Sequence, residues 1–369
     1  MSINQQPPEV SERLFSLDFF RGFTMFLLIA EFTRLFSTIT EGADPGSILH
    51  AIGLQFHHVA WNGLHFWDLI QPYFMFIVGV AIPYAVANRQ RKGQTQHQIT
   101  RHVLKRALIL LLLGWGLSCI GSGQIVFRFQ NVLSQLSVTY LVAYLIMHRS
   151  ARTQLLVSLA LIAATEIIYR TFAVEGFEQS FTPNENFGTW LDTLYGGEDL
   201  RGHWVSFNAI PTTAHTIWGV LAGQLLRSEK PAVDKLRTLL IAGAIGLLLG
   251  YGLNPITPII KRICTSTFIF ASGGWALLTL AFSYWLIDVK KVQKWTWFFN
   301  IVGMNSLFIY LFAHVGGGHF LRNIIEPFSQ AIFGFTGEFS TLVITNFLVL
   351  MGLWYICYWF YKNRVFVKI

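Results

Sequence analysis

The chain is 369 residues long, 53% hydrophobic and 12% charged, with mean hydropathy +0.49, whereas soluble domains carry roughly 25% charged residues. That composition excludes a soluble globular protein and predicts a polytopic membrane protein. A net charge of +8 is compatible with nucleic-acid binding, but the interleaved aromatics lie within or beside apolar spans, the pattern of lipid-interface anchoring. No nucleic-acid partner is expected, and the lipid bilayer takes that place.

Taken in chain order, ten apolar runs are each about long enough to cross a hydrocarbon core of roughly 30 Å. They fall near 14–36, 67–87, 103–121, 131–148, 153–171, 208–226, 236–253, 266–288, 297–315 and 339–361. The predicted fold class is therefore all-α, a polytopic membrane bundle of about ten transmembrane helices. Basic loops stay cytoplasmic. With both termini inside, most of the 27 Lys and Arg residues lie on the cytoplasmic side, among them Arg13, Arg89, Arg91, Lys92, Arg101, Lys105, Arg106 and Lys368.

The first 13 residues are polar and the run after them has no small-residue cleavage site, so the first span is expected to remain as a helix. The longest loop, near 172–207, is expected outside. The three cysteines, Cys119, Cys264 and Cys357, are dispersed and read as packing residues, and no His, Cys or Glu cluster has the spacing of a metal site. No strand precedes the GSG at 121–123 and no GK[ST] occurs, which removes dinucleotide-binding and P-loop readings.

Polar groups inside a membrane are costly, so each is a functional candidate. The first span holds Asp18, Arg21 and Glu31 in SLDFFRGFTMFLLIAEF. Asp18 and Arg21 are neighbours on one helix face near its cytoplasmic end, either a local ion pair or a site for an anionic ligand. Glu31 lies ~20 Å further along at 1.5 Å per residue, level with FHHVAWNGLHFWDLIQP at 56–72. There His57, His58, His65, Trp61, Asn62 and Asp68 concentrate polar chemistry. If 57–64 is helical or a re-entrant turn, His58 and Asn62 share a face.

LDFFRG at 17–22, HVAWNGL at 58–64 with DLIQP at 68–72, PIIKRICTSTF at 258–268, YWLID at 284–288 and GMNSLFIYLFAH at 303–314 together resemble the heparan-α-glucosaminide N-acetyltransferase family of transmembrane acetyltransferases. The resemblance runs in order from about residue 13 to 315. It implies a single transmembrane acyltransferase domain over 1–369, a compact bacterial form in the inner membrane, and an expected homodimer. Acetyl-CoA would enter from the cytoplasm as co-substrate, and its acetyl group would pass to glucosamine or a related amino sugar. The family's catalytic histidine, ahead of WNGL, maps onto His58. An imidazole suits proton acceptance near neutral pH, as general base or transient acetyl acceptor, and Asp68 or Glu31 could orient it.

Glu31, Trp61, Asn62, Lys261 and Asn305 are the expected substrate-binding residues, and Asp18, Arg21, Arg101, Lys105 and Arg106 the expected acetyl-CoA contacts. His314 is a weaker candidate. Related proteins often carry Asn where this chain has Glu31 or Phe32, and Gln-Arg where it has Ser134-Gln135; DLRG at 199–202 matches only partly. A secondary transporter of N-acetylglucosamine or a related sugar is the alternative reading, although paired repeats with broken helices are not found.

Overall fold

A computed structural model describes residues 14–194 and 202–367. Arg13, Arg201 and Lys368 of the expected basic flanks, and residues 199–201 of the DLRG stretch, lie outside the described residues. The described chain is helical, without a strand.

Its helices are α1 (Phe15–Glu31), α2 (Leu35–Gly42), α3 (Ile48–Leu54), α4 (Ile70–Arg91), α5 (Gln96–Ser122), α6 (Val132–Ile146), α7 (Ala151–Thr171), α8 (Phe187–Thr193), α9 (Thr213–Arg227), α10 (Ala232–Gly252), α11 (Ser266–Ser283), α12 (Trp297–Met304), α13 (Ser306–Phe312), α14 (Gly318–Phe333) and α15 (Glu338–Lys362). Each of the ten apolar runs falls on a helix or a helix pair. Among the described residues five helices are long and apolar enough to cross a membrane, or up to seven if each bent pair is one span.

Two runs expected to be continuous are broken. The run 14–36 bends by 59° between α1 and α2, and the segment 294–336 bends by 63° between Met304 and Ser306. At the first break Arg34 adopts a left-handed conformation with φ 59°, which a non-glycine residue takes only where its surroundings enforce it. Two side chains supply that enforcement: Asn346 Nδ2 donates to the Arg34 carbonyl, and Arg322 donates to the Thr33 carbonyl and to Asn346 Oδ1. Helix α14 was not expected from the sequence. Its apolar residues Phe320, Ile324, Phe328 and Ile332 recur every fourth position on an exposed stripe, and the polar residues between them lower the mean hydropathy.

Capping explains several boundaries. Thr95 and Gln98 form a reciprocal capping box at the start of α5, and Asn131 and Ser150 accept from Ser134 N and Thr153 N at the starts of α6 and α7, each satisfying an orphan amide. Helix α1 is capped from a distance: Phe15 N and Ser16 N donate to the two carboxylate oxygens of Asp288, at 3.1 and 3.0 Å. The acidic end of YWLID therefore holds the start of LDFFRG, where a negative charge also favours the helix dipole.

Helix α4 lies against α9 with their backbones in contact. A Cβ added at Gly79 would sit 2.1 Å from the Thr216 carbonyl oxygen, and one at Gly219 would sit 2.1 Å from that of Phe76. Small residues let membrane helices approach in this way. Replacing Gly79 by Leu should force the pair apart at a cost of ~1–3 kcal/mol or more, read as a lower melting temperature and loss of monodisperse protein in detergent. An unchanged melting temperature would refute this contact. Because α4 follows directly from the turn bearing Asp68, this close approach also positions the site.

Candidate active site

The stretch 55–65 is neither helix nor re-entrant helix but an irregular loop between α3 and a 3₁₀ turn at Phe66–Leu69. His58 and Asn62 therefore share no helical face, contrary to the expectation from their spacing. What organises the loop is Asp68, 1% exposed. Its Oδ2 accepts from Val59 N at 3.3 Å and His65 N at 3.0 Å, while Oδ1 accepts from His58 Nδ1 at 2.8 Å. Each oxygen of a buried carboxylate is thus satisfied, as burial requires.

A Nδ1–H bonded to Asp68 leaves Nε2 of a neutral His58 as the acceptor. That atom faces Glu31, with Nε2 and Oε1 3.9 Å apart. The gap is too long for a hydrogen bond. It suits a third group standing ~2.8 Å from both atoms.

Lys261 closes the other side. Its Nζ lies 3.5 Å from Asp68 Oδ1 and 3.2 Å from His58 Nδ1, in a loop after α10 stitched by its own hydrogen bonds. Thr265 Oγ1 donates to the Pro258 carbonyl, Ile260 N donates to Thr265 Oγ1, and Gly63 N from the His58 loop donates to the Ile259 carbonyl. Glu166 of α7 fastens the same loop, accepting from Thr257 Oγ1 at 2.6 Å and Ser266 Oγ at 2.8 Å. Trp204 stands edge-on to His58 at 5.7 Å, with Lys261 Nζ 5.3 Å from its ring centre. Burial lowers the Lys261 ammonium from its ordinary value, opposed by Asp68 and Glu31. Burial, and next the Lys261 charge, holds His58 below the usual imidazole range against its bond to Asp68. His58 is therefore a neutral base over a wider pH range than a free imidazole.

These groups open into a cavity of about 610 Å³ whose wall includes Glu31, His58, Gln71, Lys261, Tyr310 and His314. A second cavity of about 590 Å³ is lined by Arg21 and Met25 of α1 and Arg106 and Leu110 of α5. Its wall carries Arg21, Arg106 and the tail residue Phe366, followed by apolar side chains of α1, α4 and α6. Tyr310 and Val132 line both cavities.

The expected residues separate into groups. His58, Asp68, Glu31 and Lys261 come together. Trp61 turns away: its Nε1 donates to the Phe181 carbonyl at 2.7 Å, and its ring joins an apolar cluster with Tyr169, Val205 and Ile260. Asn62 is exposed on the loop and does not line the His58 cavity. Asn305 is fully buried at the other end, where it donates to the Val365 carbonyl and accepts from Val367 N, tying down the C-terminal tail. Of the basic trio, Arg106 lines the second cavity, whereas Arg101 and Lys105 are exposed on α5. Asp18 pairs with Arg21 at 2.9 Å, a contact worth only ~0.2–0.5 kcal/mol on a helix; its effect is to aim the guanidinium. Trp204 and Tyr310 also reach the His58 cavity; only Tyr310 carries a sequence signal, its place in the GMNSLFIYLFAH motif. Among the described residues no group of three or more His, Cys, Asp or Glu is placed to hold a metal ion.

Fold and site together define a helical, polytopic membrane protein in which a half-buried histidine bonded to a buried carboxylate lines a cavity that shares two wall residues with a second. The sequence family described as Heparan-alpha-glucosaminide N-acetyltransferase, catalytic, matches residues 13–254, and the chain belongs to that family. It is also similar to the Homo sapiens protein named Heparan-alpha-glucosaminide N-acetyltransferase, 24% identical over 422 aligned positions that cover 97% of this chain and 60% of the human protein. The chain thus spans about three-fifths of that relative's length. His58 and Asp68 lie inside the family match; Lys261 and Tyr310 lie beyond it.

Proposed function

We propose that this protein is a membrane-embedded N-acetyltransferase that carries the acetyl group of acetyl-CoA from the Arg21/Arg106 cavity to the amine of glucosamine or a related amino sugar beside His58. The observation that carries this reading is the His58–Asp68 pair, its Nε2 open to one cavity that shares Tyr310 and Val132 with another bearing two guanidiniums at its far end. Family membership supports the same reaction class.

Two arginines over an apolar channel fit a donor with phosphates at one end and an acyl thioester at the other, since guanidinium is suited to phosphate recognition. The basic residues Arg89, Arg91 and Lys92 end α4 just before α5 begins, which supports a cytoplasmic donor side. At the other end the Glu31 carboxylate accepts a hydrogen bond from the neutral sugar amine in the 3.9 Å gap before Nε2. His58 acts as general base: the amine gives its proton to Nε2 as nitrogen attacks the thioester carbon. Asp68 holds the imidazole tautomer and stabilises the imidazolium. Collapse breaks the C–S bond, the CoA thiolate takes the proton back from Nε2, and the amide is released.

The test uses purified protein in detergent with acetyl-CoA and glucosamine, following free CoA and N-acetylglucosamine together. Equal release of both supports the reading. No CoA release with any amino sugar, joined to N-acetylglucosamine uptake by reconstituted vesicles, would replace it with transport.

The pH profile gives a further expectation. The base form of His58 is required, so kcat/KM should fall on the acid side as Nε2 is protonated. In Lys261→Met the neighbouring positive charge that disfavours the imidazolium is gone while Asp68 remains. His58 should then bind its proton more readily, and the acid limb should move to higher pH. A limb that stays in place or moves lower would show that Lys261 does not tune His58.

A further inference from the structure

We propose that Tyr310 is a catalytic residue whose hydroxyl donates a hydrogen bond to the oxyanion formed from the thioester carbonyl. The inference rests on the acetyltransferase reading above and adds to it the group that takes up the developing negative charge.

Attack by the amine drives the carbonyl π electrons onto oxygen, and a fixed donor at that oxygen is commonly among the largest contributions to acyl transfer. The reacting carbon has to be reachable both from the donor cavity and from His58, so the donor group must belong to the wall common to both cavities. Two side chains meet that condition, Val132 and Tyr310. Valine has nothing to donate.

Two polar side chains of the His58 cavity, Lys261 and Gln71, are already engaged. Lys261 Nζ is held by the Asp68 carboxylate at 3.5 Å. The Gln71 amide donates to Gln135 Oε1, and Gln135 donates on to the Gln130 carbonyl. Arg21 and Arg106 line the donor cavity and do not appear on the wall with His58. Tyr310, by contrast, is 3% exposed, and among the described residues its hydroxyl forms no hydrogen bond.

Its ring packs in the core against that of His314, one turn further along the chain. The His314 ring lies 4.1 Å away, and His314 Nδ1 is 3.2 Å from the Tyr310 carbonyl oxygen. His314 in turn packs against the Phe32 ring, tilted at 55° with centroids 4.5 Å apart, beside Glu31 in the chain. A rigid phenol of this kind is preorganised, so little reorganisation is needed when charge develops. Tyr310 keeps its proton throughout; the proton that moves is the amine's, to His58 and then to sulfur.

Tyr310→Phe removes the hydroxyl and keeps the ring. Under saturating donor and acceptor, kcat should fall about 10²- to 10³-fold. KM for acetyl-CoA and for the sugar should stay within about twofold of wild type, as expected when an interaction made only in the transition state is lost, and the melting temperature should not change. A kcat within about threefold of wild type, or a loss carried by a higher KM for acetyl-CoA, would overturn the assignment and leave the acetyltransferase reading standing. A wild-type protein that releases no CoA would overturn both.

Discussion

Replacing His58 by Asn should lower kcat by about 10²- to 10⁴-fold, the usual contribution of a positioned general base, with the protein still folded and the donor still bound. Asn is the informative substitution because its amide can donate to Asp68 Oδ1 much as Nδ1–H does at 2.8 Å, so the buried carboxylate keeps its partner. What disappears is Nε2, the one basic atom facing Glu31 across the 3.9 Å gap. The loss should fall on kcat, with KM for acetyl-CoA unchanged, since the guanidiniums of Arg21 and Arg106 belong to the other cavity. Rapid-mixing experiments should find no acetylated enzyme in wild type, as a direct transfer requires. A variant that retains kcat within roughly tenfold of wild type, or wild-type protein that accumulates an acetyl group on His58, would sink the general-base assignment.

The helical class was legible because it rests on composition, and ten apolar runs fell on ten helical positions because hydrophobicity over about 20 residues is a property of the chain alone. The breaks were not legible. Arg34 turns left-handed because Asn346 and Arg322, some 300 residues away in the chain, hold the carbonyls around it; nothing local in LIAEFTRLF encodes that. Spacing misled at Asn62, because helical periodicity has no meaning in the irregular loop that Asp68 organises through Val59 N and His65 N.

Motif membership carried information of two kinds that sequence could not separate. Asp288 in YWLID caps α1, and Asn305 in GMNSLF ties down the tail, so both residues serve architecture. Lys261 in PIIKRICTSTF reaches the His58–Asp68 pair. A Lys and an Asn in a quoted motif look alike as candidates; only the contact partner distinguishes a structural anchor from a group at the site. The basic trio of α5 shows the same limit, since three cations within six residues cannot all face one cavity when a helix turns 100° per residue, and only Arg106 does.

Asp68→Asn should be the most damaging single substitution at the site, because it acts on catalysis and stability at once. The side chain keeps its volume but loses its charge. Lys261, 6% exposed, has Asp68 as its nearest carboxylate at 3.5 Å, so its ammonium would be left buried without its counter-charge. Removing one member of a buried ion pair costs ~3–5 kcal/mol. An Asn that keeps its oxygen toward Val59 N and His65 N must present its amide nitrogen to His58. That amide donates, so it favours the tautomer with the proton on Nε2 and removes the base from the face where the amine arrives. A wrong tautomer in a histidine–carboxylate pair can cost about 10⁴-fold in kcat. The two effects separate experimentally. Lys261→Met combined with Asp68→Asn removes the uncompensated charge, so the double variant should recover much of the melting temperature lost by Asp68→Asn while kcat stays low. If the double variant recovered kcat as well, the fault would lie in folding and the orienting role of Asp68 would be wrong. If Asp68→Asn alone kept both its melting temperature and its turnover, neither the ion pair nor the tautomer argument could stand.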